Sequence, residues 1–189
     1  MRRLLLSVLL VVFSVLPAVA EQYISLTPGV WLQEKSSTID FSLQGVDVNY
    51  SPGWSLGAAV GGAYENGYRV ETEVTYRQAA AKIGNDNSWN IALLLNLWRE
   101  VRTDTIFTPY FGGGFGGARV HLASPGMIDN SAGGIAYQAG AGVGVRIDPR
   151  LVLDVGYRYF GIWDINNSGN VGSVNLSGSS VTTGLRFGF

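Results

Sequence analysis

The feature that most constrains this chain is a period of two. From Ser180 to Phe189 it alternates without a break: Val181, Thr183, Leu185, Phe187 and Phe189 share one face, and small or charged residues share the other. Such a segment reads as a β-strand whose successive side chains point to opposite sides of a sheet. An open strand ending in two Phe residues would leave a sticky unpaired edge. In a closed barrel that edge pairs with the first strand, and the aromatics meet the lipid–water boundary. The expectation is the closing strand of an outer-membrane β-barrel.

Seven earlier segments share the period, each bounded by Gly, Asn, Asp, Ser or Pro. The first, about Gln22 to Leu32, presents Ile24, Leu26, Pro28, Val30 and Leu32; the second presents Trp54, Leu56, Ala58, Val60 and Tyr64. After Glu65-Asn66-Gly67 the third, Tyr68 to Arg77, presents Tyr68, Val70, Thr72, Val74 and Tyr76. The fourth shows Trp89, Ile91, Leu93, Leu95 and Leu97, and the fifth, Thr108 to Arg119, shows Phe111 and Phe115. The sixth carries Tyr137, Ala139, Ala141, Val143 and Val145; after Asp148-Pro149-Arg150 the seventh carries Leu151, Leu153, Val155, Tyr157 and Tyr159.

Connections alternate in length, as threading a barrel from one side requires. The short ones are Glu65 to Gly67, about Arg99 to Phe107, and Asp148 to Arg150. The long ones are about Gln33 to Ser51, Ala79 to Ser88, His121 to Gly134, and Trp163 to Leu176; rich in Ser, Asn, Gly and Asp, they are expected outside the cell. Within the first, Ile39 to Leu43 and Val46 to Tyr50 also alternate around Gln44-Gly45, so a hairpin, or ten strands in place of eight, stays open.

Composition fits this pattern and little else. The chain is 47% hydrophobic and 14% charged, with 26 Gly, yet after residue 20 no run approaches the roughly 20 apolar residues of a membrane helix. A barrel strand needs only every second residue apolar. Met1 to Ala20 has a basic start, an apolar run from Leu4 to Leu16 and Ala18-Val19-Ala20, the layout of a cleaved secretory signal, leaving residues 21–189 as one barrel domain. Without Arg2 and Arg3, 11 basic residues face 14 acidic ones, a formal charge of −3, and no basic cluster points to nucleic acid. With no Cys, disulfides, thiol catalysis and zinc thiolate sites are excluded.

A period of two does not say which face points inward. A soluble lipocalin-like barrel is the alternative, and Gly29-Val30-Trp31 matches the Gly-x-Trp near a lipocalin's first strand. The non-apolar face decides against it. It holds Arg69, Glu71, Glu73, Arg77, Arg146, Asp154, Arg158 and Arg186 among Gly57, Gly61, Gly112, Gly114, Gly116, Gly140, Gly142, Gly144, Gly156 and Gly188. A water-facing exterior would carry longer polar residues than Gly, which weakens strands. In a narrow lumen Gly instead leaves room for Arg, Glu and Tyr110 to interdigitate, and the charges must then pair with one another. Trp54, Tyr76, Trp89, Tyr137 and Tyr159 lie beside long connections, and Tyr64, Tyr68, Phe111, Phe187 and Phe189 near short ones, as two interfacial belts would.

The stretches Arg69-Val70-Glu71-Thr72-Glu73-Val74-Thr75-Tyr76, Thr108 to Gly114, Ala136 to Gly142 and Asp154-Val155-Gly156-Tyr157-Arg158-Tyr159-Phe160-Gly161 resemble the small outer-membrane β-barrel proteins of the opacity-protein and bacterial surface-antigen type. The resemblance spans the chain after residue 20 and implies an eight-stranded barrel in a Gram-negative envelope. It implies no single activity, since relatives serve as adhesins, surface antigens, structural proteins or narrow pores.

Motifs for chemistry are few. Gly112, Gly114 and Gly117 have dinucleotide-fingerprint spacing, but that fingerprint needs a strand-to-helix turn, and Phe111 and Phe115 keep the strand period. His121, with Ser124 and Asp129 following, could be read as a lipid hydrolase's base, yet no His-x-Ser-Asn element is present. Asp164, Asn166 and Asn167, or Asp86 with Asn85 and Asn87, could offer oxygen ligands but more often make turns, so no cofactor or metal is assigned.

The expected protein is an all-β, closed up-and-down transmembrane barrel without enzymatic activity, an envelope scaffold or surface adhesin and antigen. A narrow pore is the alternative, and a lipid-modifying enzyme follows it. Expected partners are outer-membrane lipid, the barrel-assembly machinery through the terminal strand with Phe187 and Phe189, and a host or matrix receptor through the long loops.

Overall fold

A computed structural model of the chain describes residues 21–34, 36–38, 46–48, 51–80, 87–122, 130–164 and 176–189. The expected signal segment lies outside them. The strands are β1 (Glu21–Gln33), β2 (Ser36–Thr38), β3 (Val46–Val48), β4 (Gly53–Ala63), β5 (Tyr68–Ala80), β6 (Asn87–Glu100), β7 (Phe107–Leu122), β8 (Asn130–Asp148), β9 (Leu151–Asp164) and β10 (Leu176–Gly188). Eight of them close in the order β1-β10-β9-β8-β7-β6-β5-β4. Every neighbour is antiparallel, and β1 seals the barrel against β10, with Ile24 opposite Phe187 and Val30 opposite Val181.

Of the alternating segments in the first long connection, Val46–Val48 pairs with Ser36–Thr38 and not with the barrel, Ser36 opposite Val48 and Thr38 opposite Val46, while Ile39 to Leu43 lies outside the described residues. The barrel therefore has eight strands, not ten.

Several strands run beyond the expected bounds at the end carrying the long connections. The link expected over His121 to Gly134 narrows to residues 123–129, because Gly133 and Gly134 pair with Arg119 and Ala118 and extend the β7–β8 ladder. Gly134 is a strand residue with no room for a side chain, since a Cβ there would lie 2.8 Å from Ile162 Cγ2. At the other end Gly67 supplies the one left-handed glycine among the described residues, φ 81°. It closes a turn in which its amide donates to Tyr64 O at 2.9 Å and Tyr68 N to Asn66 Oδ1 at 3.2 Å.

The two faces divide as alternation requires. Leu26, Leu93, Leu95, Val155, Val181 and Leu185 stand about half exposed on the outer wall, while the buried residues line the interior. An apolar exterior girdling all eight strands needs lipid as its solvent, which removes the lipocalin alternative. Trp31, of the Gly-x-Trp match, is fully buried inside.

Candidate functional site

Among the described residues the side chains packed inside the barrel fall into two layers. Toward the short turns lies a charged network. Glu73 sits at its centre, accepting both Oε contacts from Arg158 Nη1 at 2.7 and 2.8 Å, Thr75 Oγ1 at 2.6 Å, Asn96 Nδ2 at 2.7 Å and Gln138 Nε2 at 2.9 Å. Glu71, two residues earlier on the same face of β5, takes neutral donors: Tyr23 Oη at 2.7 Å, Trp98 Nε1 at 2.7 Å and Asn96 Nδ2 at 3.1 Å. Nearer the mouth, Glu100 lies 3.3 Å from Arg69 Nε and accepts from Arg186 Nη1 at 2.8 Å, and Arg186 Nε is 3.3 Å from Asp154 Oδ2.

Among the described residues the inward charges number four of each sign, Arg69, Arg77, Arg158 and Arg186 against Glu71, Glu73, Glu100 and Asp154, and the ion pairs of Arg69, Arg158 and Arg186 with the hydrogen bonds of Gln138 carry the network across the lumen from β5 and β6 to β8, β9 and β10. A buried charge without a partner costs several kcal/mol, so such a set persists only if it is matched and hydrogen-bonded. The guanidiniums also lie over aromatic rings: Arg158 over Trp98 at 5.2 Å, Arg69 over Tyr110 at 5.0 Å, Arg186 over Tyr23 at 5.3 Å.

Toward the long connections the filling turns apolar. Trp31, Leu94, Val120, Phe160, Ile162 and Leu176, with small Ala residues, form a buried cluster in which Trp31 and Phe160 meet edge to face at 6.1 Å. Arg77 marks the boundary between the layers. It makes no ion pair with a described carboxylate; its guanidinium lies 3.7 Å from the Phe160 ring centre, and Nη1 reaches Asn90 Oδ1 at 3.5 Å.

Lumen glycines are where these side chains pass. A Cβ on Gly57 would meet Glu73 Oε1 at 2.8 Å, on Gly61 Tyr23 Oη at 2.8 Å, and on Gly142 or Gly156 Tyr110 Oη at 2.6 or 2.7 Å. This is the interdigitation expected from the sequence, now with named partners.

Of the inward charges read from the sequence, Arg69, Glu71, Glu73, Arg77 and Arg186 are buried, and Asp154 and Arg158 are nearly so. Arg146 is the correction. Its position faces inward opposite Val152, but it lies at the mouth end of β8, where the side chain lines the open cavity, stands exposed and joins no ion pair with a described residue. Sequence reasoning missed the neutral members Tyr23, Asn96, Trp98 and Gln138, the acid Glu100 and the whole apolar layer. The signal was available as parity: once Leu93, Leu95 and Leu97 face out, Leu94, Asn96 and Trp98 face in.

On the outer wall Trp54, Tyr76, Trp89 and His121 stack in series across β4 to β7 at 5.2, 6.0 and 5.2 Å. Tyr137 lies 6.5 Å from Tyr159 and 4.8 Å from Trp163. Tyr68, Phe111, Phe187 and Phe189 are exposed around the short-turn end, with Tyr64 half-buried in the adjoining turn. His121 thus belongs to the exterior aromatic series, while Ser124, Asp129, Asp86, Asn85, Asn166 and Asn167 lie outside the described residues, as do the side chains of Asn87 and Asp164. Gly112 and Gly114 sit in the middle of β7 facing Trp98 and Asn96, with no turn into a helix there.

Residues 5–188 match the family described as the outer membrane protein beta-barrel domain. No curated protein matches the chain. Among solved structures, neisserial surface protein A superposes with a TM-score of 0.64 at 21% identity, covering 89% of this chain and 97% of that one. The outer membrane protein OprG from Pseudomonas aeruginosa gives 0.60 at 17%, covering 90% and 97%. The N-terminal β-barrel domain of Pseudomonas aeruginosa OprF gives 0.52 at 10%, covering 90% and 98%. At these identities the likeness is one of fold.

Proposed function

The chain belongs to the outer-membrane β-barrel domain family and resides in the outer membrane of a Gram-negative bacterium; from that premise we propose that it is a non-conducting, non-enzymatic barrel that displays its long connections at the cell surface as a scaffold, adhesin or antigen. The observation that supports this reading is the filled lumen. A conduction path would have to cross both the Trp31–Phe160 layer and a network whose carboxylates are already engaged. An eight-stranded barrel has room for packed side chains and little else.

A lumen so filled makes the barrel a rigid support, and recognition on such supports lives in the loops. The test is to replace residues 39–45, 81–86, 123–129 and 165–175 with short Gly-Ser links in the intact protein on the cell surface. Cells carrying the variant are expected to lose attachment to host cells or matrix while keeping the barrel in the outer membrane. Attachment at the parental level with all four links replaced would overturn the adhesin reading.

A further inference from the structure

We propose that the short-turn mouth of the barrel is a receptor for an oxyanion, a carboxylate or phosphate group presented from the periplasmic side. A cavity of about 350 Å³ opens there, and its lining includes Glu21, Tyr23, Glu100, Arg146, Arg150 and Arg186. Three arginines line it. Arg146 is the last residue of β8 in regular register with β9 before the slip, opposite Val152, and its amide donates to Ile106 O at 2.9 Å. Arg150 is set by its turn, its amide donating to Asp148 Oδ1 at 3.2 Å and its carbonyl accepting from Gly188 N at 2.8 Å. Arg186 forms the inner wall, buried, with Nη1 on Glu100 and Nε 3.3 Å from Asp154 Oδ2.

The charge at this mouth differs from that of the lumen above it. Among the described residues neither Arg146 nor Arg150 makes an ion pair, and both are exposed to the cavity's solvent. The acids that face the cavity are Glu21 and Glu100, and Glu100 already serves Arg69 and Arg186. Guanidinium forks match the geometry of carboxylate and phosphate oxygens, which they bind in pairs of parallel hydrogen bonds. Two guanidiniums with no ion pair among the described residues, beside a third that Glu100 and Asp154 hold in place, make a site that an oxyanion completes.

The test uses the chain from Glu21 to Phe189 refolded in an uncharged maltoside detergent, titrated with inorganic phosphate at constant ionic strength while the arginine Nε–Hε resonances are followed. A saturable shift is expected, competed by acetate and at least tenfold weaker in the Arg146→Gln/Arg150→Gln variant. Both substitutions are on exposed side chains, and an unchanged backbone spectrum confirms that the barrel is intact. A response no larger than that to chloride, or one equal in the variant, overturns the proposal. Repeating the titration in phosphatidylglycerol nanodiscs identifies the source. Resonances already shifted and insensitive to phosphate assign the site to a lipid headgroup, and a retained titration assigns it to a soluble oxyanion.

Discussion

The lumen of this barrel is decided by individual side chains and by the absence of others. Glu73 holds Arg158 with two contacts and has 2% of its surface exposed. Removing its charge leaves an uncompensated buried guanidinium, so Glu73→Gln is expected to destabilise the folded barrel by about 3–5 kcal/mol in reversible urea unfolding from vesicles. Adding Arg158→Met should recover much of the loss; a double variant no more stable than Glu73→Gln would show that the pair does not act as a unit. Gly142→Ala tests the opposite fault. Its Cβ would lie 2.5 Å from Val155 O and 2.6 Å from Tyr110 Oη, so an overpacking cost of about 1–3 kcal/mol is expected in the same measurement. Charges and glycines on the odd-numbered positions of β5 and the even-numbered positions of β6 to β10 were legible as a lumen from the sequence. Their partners were not, because Tyr23, Asn96, Trp98 and Gln138 carry no charge to announce a pairing, and which strand reaches which across a barrel depends on closure.

Each strand is a two-faced element, and depth in the membrane grades its outer face. Leu93, at the middle of β6, stands 44% exposed toward lipid. Leu93→Arg is expected to cost about 2–4 kcal/mol, whereas Trp89→Arg, near the end of the same strand, should cost about 0–1 kcal/mol for its charge, since the membrane penalty falls toward the interface. Equal costs at both depths would contradict the assignment of this face to lipid. On β10, Phe187 and Phe189 face outward at the short-turn end, and Phe189→Ser is expected to lower the amount of folded protein in the outer membrane of cells while leaving refolding in detergent intact. Unchanged cellular assembly would refute a role for that residue in recognition by the assembly machinery. Strand identity was readable because a period of two survives any exchange of one apolar residue for another, and facing because Gly, Arg and Glu share the face opposite the apolar one. Strand ends were less so: Gly133 and Gly134 look like loop residues until their pairing with Arg119 and Ala118, and the Ile162 side chain against Gly134, are known.

At the scale of the whole molecule, closure follows from the antiparallel order β1-β10-β9-β8-β7-β6-β5-β4, in which no barrel edge is left unpaired. The number of strands could not be read from alternation alone, because Val46–Val48 alternates as well as any barrel strand and differs only in pairing with Ser36–Thr38. What the closed barrel encloses carries the central proposal: among the described residues an apolar layer around Trp31 and Phe160 lies above a charged network, and we propose that together they plug the lumen. The most direct test is solute and ion flux through liposomes holding the refolded chain from Glu21 to Phe189. Stable insertion with flux no greater than protein-free liposomes is the expected result. Reproducible flux that changes with Arg158→Ala or Glu71→Ala would contradict the account, because those side chains would then line a conduction path and not a plug.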